Sequence, residues 1–108
     1  MIQPLFGLIP RAIYQREKPE RNPAFLKFIR GFPCIGCGTT RRIEAMHTGP
    51  HGLSQKASDL TALPGCHVCH REYDADPRWF MEKRQLDREE LVAMFNGFWE
   101  AKLKGRAA

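Results

Sequence analysis

Cys34-Ile35-Gly36-Cys37 and Cys66-His67-Val68-Cys69 are the two stretches on which the fold turns. Each C-x-x-C sets two thiolates on one side of a tight knuckle, and two such pairs complete the four sulfur ligands of a tetrahedral Zn²⁺. Gly36 and Gly38 flank Cys37, and glycine lets a knuckle turn tightly and aim backbone N–H groups at sulfur. The other uses of such cysteines are disulfides and redox chemistry. A redox C-x-x-C expects a βαβ surround and no duplicate. Disulfides expect secretion, and Met1–Ile13, broken by Pro4, Gly7 and Pro10, lacks the basic start and cleavage pattern of a leader. A structural Cys₄ zinc site is therefore the expectation.

Working outward, the pairs are separated by 28 residues, more than the roughly 15–20 of a simple zinc ribbon. That longer loop holds His47, His51 and Asp59. Within it, 41–47 alternates loosely and predicts a strand. Residues 48–58, punctuated by Gly49, Pro50 and Gly52, predict a loop, and 60–63 a second strand. A helix is expected to start near Cys66–Cys69 and to run past Tyr73, stopping before Pro77. Upstream, Asn22 caps, Pro23 takes the first helical position and Gly31 marks the stop of a short helix carrying Phe25, Leu26, Phe28 and Ile29. Downstream, Asp76-Pro77 opens a helix with Trp79 and Phe80 on its apolar side. Asp87 and Glu90 form a capping box for a last helix, with Leu91, Phe95, Phe98 and Trp99 as its buried stripe and Gly105 as its end. These aromatics read as core rather than as a stacking platform.

At 108 residues the chain suits one domain, small enough to benefit from a metal staple. The class expected is α+β. Residues 1–23 form a basic, Pro-containing arm, 24–76 a zinc-stapled core of a β-hairpin plus helix, and 77–108 a helical extension. No apolar run reaches the length of a membrane span. The net charge of +5 is uneven: residues 1–33 hold six Lys/Arg (Arg11, Arg16, Lys18, Arg21, Lys27, Arg30) against two Glu. Such a segment suits a polyanion, and on charge alone it is equally a solvated tail.

The chemistry-bearing residues cluster around the second knuckle. His70 and Asp74 stand at i and i+4, which share a helix face. One imidazole and one carboxylate there suit a divalent ion with open positions for water and phosphate. His47, at the end of the first strand, would lie across from that ion, and an imidazole suits a general base that activates water. Taken together, Cys34-x-x-Cys37, Glu44-Ala45-Met46-His47, Ser58-Asp59-Leu60 and Cys66-x-x-Cys69-His70-x-x-x-Asp74 resemble an HNH (ββα-metal) endonuclease core. The stretch 47–56 is similar to small phage- and prophage-type members of that superfamily. The resemblance spans about residues 24–76. It implies a hairpin and helix gripping one catalytic Mg²⁺ or Mn²⁺, with His47 as general base and His70 as metal ligand. It implies Asp74 as a second ligand and Asp59 at the position that braces the loop or orients the base. Two departures stand out: Met46 occupies a position where many members carry an Asp or His ligand, and Asp59 replaces an Asn.

The expected activity is hydrolysis of phosphodiester bonds in DNA, duplex or branched, in the cytoplasm of a bacterial or phage-infected cell. Arg41, Arg42, His51, Lys56 and Arg71 are the candidate substrate contacts, and His67 is a candidate to support the zinc ligands. The exposed side of 95–99 leaves room for a homodimer. A catalytically inactive zinc module that binds DNA and uses its basic arm as an adaptor explains the cysteines and the charge but leaves the His47, His70 and Asp74 arrangement to coincidence. A second alternative is a zinc-stabilised protein-interaction domain with the C-terminal aromatic helix as its docking face.

Overall fold

The structure, a computed structural model, describes residues 20–49 and 58–107. Helix α1 (Pro23–Ile29) is followed by strand β1 (Ile43–His47), a 3₁₀ turn (Asp59–Thr61) and strand β2 (Ala62–Cys66). Helices α2 (His67–Ala75), α3 (Pro77–Lys83) and α4 (Arg88–Ala107) complete the described chain. It is a small α+β arrangement with a two-stranded antiparallel hairpin and, among the described residues, four helices. No helix among them is long and apolar enough to cross a membrane. The basic arm falls mostly outside the described residues, as does most of the loop predicted over 48–58.

Local signals explain where the helices begin. The Asn22 side chain accepts from Phe25 N, and Pro23 follows it in the first turn. Asp76 accepts from Trp79 N at the start of α3, and Asp87 accepts from Glu89 N and Glu90 N at the start of α4. The hairpin register pairs Ile43 with Cys66 and His47 with Ala62. The second knuckle therefore sits at one end of the hairpin and His47 at the other, four residues or roughly 13 Å along the strand.

Strand β2 starts later than its sequence suggests. Asp59–Thr61, part of which was expected to be strand, winds into a 3₁₀ turn instead. Ser58 Oγ accepts from Leu60 N and Thr61 Oγ1 donates to Ser58 O, local bonds that compete with a strand ladder. All five β2 residues are buried, Pro64 among them. Pro64 has no N–H to give, but its carbonyl accepts from Ile35 N, so the first knuckle closes that edge of the hairpin.

The core joins Phe25 and Ile29 of α1, Met46 and Leu63 of the hairpin, Tyr73 and Phe80 of α2 and α3, and Phe95 and Trp99 of α4. Three expectations about the tail are corrected. Trp79 is 51% exposed, not on the apolar side of α3, and carries Lys83 over its ring. Phe98 is 44% exposed, because the face of α4 that meets α1 and the hairpin is centred on Phe95 and Trp99. Gly105 does not end α4, which continues to Ala107. A glycine terminates a helix by adopting positive φ, and among the described glycines only Gly38 does so.

Candidate functional site

The four cysteine sulfurs lie within 4.8 Å of one another, and no disulfide joins them. A Zn–S bond of about 2.3 Å puts tetrahedral sulfurs about 3.8 Å apart. Cys37 Sγ and Cys66 Sγ stand 3.8 Å apart. Gly36 N donates to Cys34 Sγ (3.2 Å) and Cys69 N to Cys66 Sγ (3.4 Å), the N–H···S contacts of a metal knuckle. A Cβ on Gly36 would come within 2.8 Å of Cys69 Sγ, so only glycine admits this approach, while Gly38 takes a φ of +80°.

The thiols are electrostatically unequal. Burial pushes the Cys34 thiol up, but the backbone N–H groups of Cys66, Cys37 and Gly36 outweigh it and bring the value from 9.0 to about 7. Burial and the neighbouring Cys34 and Cys66 sulfurs push Cys69 well above its usual range. Cys37 is also raised: the Thr39 N–H lowers it, but desolvation and the Cys66 and Cys34 sulfurs prevail. Four thiolates so close together need a cation, and the donor set fits a metal ion such as zinc. Arg84 ties the two knuckles together. Its guanidinium donates to Gly36 O and Glu72 Oε1, lies 4.0 Å from Cys69 Sγ and stacks on Phe80.

At the far end of the hairpin, His47 Nε2 lies 2.7 Å from Asp59 Oδ1. Asp59 is 4% exposed and also accepts from Asn22 N (2.7 Å) and Arg21 Nη1 (3.3 Å). Its own N–H donates to Glu20 O. Burial acts to raise the Asp59 carboxyl, yet the His47 and Asn22 hydrogen bonds and the His47 and Arg21 charges hold it below its ordinary 3.8. An ionised carboxylate only accepts, so Nε2 of His47 donates to it, which leaves Nδ1 as the ring's second nitrogen. Among the described residues no hydrogen bond reaches that Nδ1.

His70 belongs to a separate group. Its Nδ1 lies 2.7 Å from Glu44 Oε1, and its Nε2 faces Asp74 Oδ2 at 3.6 Å, beyond hydrogen-bond range. Strand alternation puts Glu44 and Met46 on one face of the hairpin and His47 on the other. Met46 is fully buried beside Gly65, so its thioether is core. No hydrogen bond or ion pair joins the His47 and His70 groups among the described residues. The four cysteines alone among them form a group of three or more converging metal-ligand side chains, and Glu44, His70 and Asp74 do not converge in that way.

Arg41, Arg42 and Arg71 are exposed. Arg42 takes a φ of +56° and brings Nη1 within 3.4 Å of His67 Nε2, while His67 Nδ1 is buried without a partner. His51 and Lys56 lie outside the described residues. Sequence reasoning missed Glu44, Arg84 and the Asn22 N–H. Glu44 was open to discovery, since an alternating strand laid on α2 turns every second residue toward it.

The chain thus belongs by its geometry to the small α+β proteins built round a four-cysteine cluster on a hairpin and helix. By sequence it is a member of the family described as "Protein of unknown function (DUF968)", whose model matches residues 9–97. No curated protein and no solved structure matches it.

Proposed function

We propose that this chain is a metal-dependent DNA endonuclease of the HNH kind, its ββα unit made by β1, β2 and α2 and stapled by zinc at Cys34, Cys37, Cys66 and Cys69. The observation that carries the reading is the His47–Asp59 pair. A buried, ionised carboxylate takes the Nε2–H of a partly exposed imidazole at the end of a strand and leaves Nδ1 without a hydrogen bond among the described residues, the arrangement a general base uses when the ring is neutral. His47 Nδ1 takes a proton from water, and Asp59 steadies the imidazolium that results. His70 and Asp74 would hold the second cation, with Glu44 on the other nitrogen of His70 orienting it, as carboxylates do for metal-bound histidines. A divalent ion held there would supply charge stabilisation to phosphoryl oxygens. Arg41, Arg42 and Arg71 give exposed positive charge for phosphates.

Supercoiled plasmid incubated with the purified chain and Mg²⁺ or Mn²⁺ tests the reading. Metal-dependent nicking by the native chain, lost in His47→Ala, is the expected result. Cleavage by His47→Ala at the native rate removes the base assignment. The burial of Met46 at a position where the resemblance carries a ligand favours a second reading, an inactive DNA-binding adaptor. Salt-sensitive DNA binding without cleavage under any metal is its signature.

A further inference from the structure

Helices α1 and α4 and the turn after α1 enclose an open hollow of about 570 Å³. Its floor is aromatic, made by Phe28, Phe32 and the edge of Trp99, and its rim carries Lys27, Lys102 and Arg106. Among the described residues no carboxylate lines it. The three cations are exposed and make no ion pair among the described residues, though Lys102 Nζ lies 5.2 Å from the centre of the Phe28 ring. Arg78 pairs with Glu82, Lys83 and Arg84 with Glu72, and Arg88 with Glu89, whereas Arg71 and Lys104 make no ion pair among the described residues. Three of the unpaired cations thus gather round one apolar floor.

We propose that this hollow binds single-stranded nucleic acid, taking a base against the Phe28 ring, which Phe32 meets edge-on at 76°, and the flanking phosphates on Lys27, Lys102 and Arg106. An aromatic floor with a basic rim is the combination that single strands use, because every base has a π face and every linkage a charge. The placement gives the strand a route. Helix α1 starts at Asn22, whose N–H holds Asp59, and α4 passes Leu60 through Asn96 Nδ2. From those anchors the basic rim lies about 8–15 Å further along the two helices. The inference rests on the nuclease reading only for where the strand comes from, and the nucleic-acid contact stands apart from it.

The test is a binding titration with oligothymidylate and no added Mg²⁺, on the full chain carrying Trp79→Phe. Trp99 is then the sole tryptophan. The expected result is quenching of Trp99 with an affinity that falls steeply with salt. Lys27→Ala, Lys102→Ala and Arg106→Ala combined should keep the melting temperature, weaken binding roughly tenfold and reduce the log–log salt slope by about 2. An unquenched Trp99, or an unchanged slope in the triple variant, overturns the proposal. So does a Trp99 signal that follows protein concentration without oligonucleotide, which would give the hollow to a second copy of the chain. Preference for duplex without quenching overturns the single-strand assignment. Absence of metal-dependent cleavage by the native chain with retained quenching removes the nuclease reading alone, and cleavage without quenching removes this proposal alone.

Discussion

Asp59 makes its contacts across the sequence rather than along it. It joins His47, twelve residues away, to Asn22 N and Arg21, 37 and 38 residues away, at a site 4% exposed. Replacing it with Asn keeps the shape but removes the charge and turns an amide N–H₂ toward one of three donors. Asp59→Asn should therefore cost about 1–3 kcal/mol of stability, measured by urea unfolding at neutral pH. The pH dependence has a definite sign. The folded carboxyl lies below 3.8, so its contribution is fully present above 3.8 and is lost as pH falls through the lowered folded value. The stability gap between the native chain and Asp59→Asn should close as pH falls below 3.8. A gap that persists there would mean the interaction does not depend on charge. Little of this network was legible in the sequence. The resemblance marked His47 and Asp59 as a pair, but a backbone N–H such as Asn22's has no sequence signature, because only the folded chain decides where it points.

At the scale of elements, close approach governs. Gly36 sits where a Cβ would meet Cys69 Sγ at 2.8 Å and the Phe80 ring at 2.9 Å, and neither can retreat from a buried cluster. Gly36→Ala should lower stability by about 1–3 kcal/mol and quicken the loss of bound metal, seen by thermal melting and a chelating dye. Gly97 is the control: nothing lies within 4 Å of its added Cβ, and Gly97→Ala in mid-α4 should raise stability by about 0.5–1 kcal/mol. The elements were more readable than the residue contacts. The starts of α1, α3 and α4 announce themselves through Asn22, Asp76 and Asp87, because capping is local chemistry. The start of β2 did not, since Ser58 and Thr61 use side chains to hold a turn that an apolar-run reading takes for strand. Gly105 misled for the opposite reason: a helix end needs a backbone conformation, which a glycine allows but does not impose.

For the whole molecule, the cysteine cluster fixes the end of the hairpin where Ile43 faces Cys66, and His47 stands at the other end, opposite Ala62. A chain this small draws much of its stability from such a staple, since a structural zinc contributes its binding energy directly to folding. Removing the proposed zinc should release β2 and α2 together, because Cys66 ends the one and caps the other through Cys69 N. The His47–Asp59 geometry then fails without either residue being touched. Chelation with a strong zinc ligand should abolish both the cooperative melt and DNA cleavage, and Mg²⁺ in excess should restore neither. One equivalent of Zn²⁺ should restore the melt, and Zn²⁺ followed by Mg²⁺ the cleavage. Recovery of cleavage with Mg²⁺ alone would show that the cysteines do not hold the fold together. Recovery with Zn²⁺ alone would give His70 and Asp74 no ion of their own to hold.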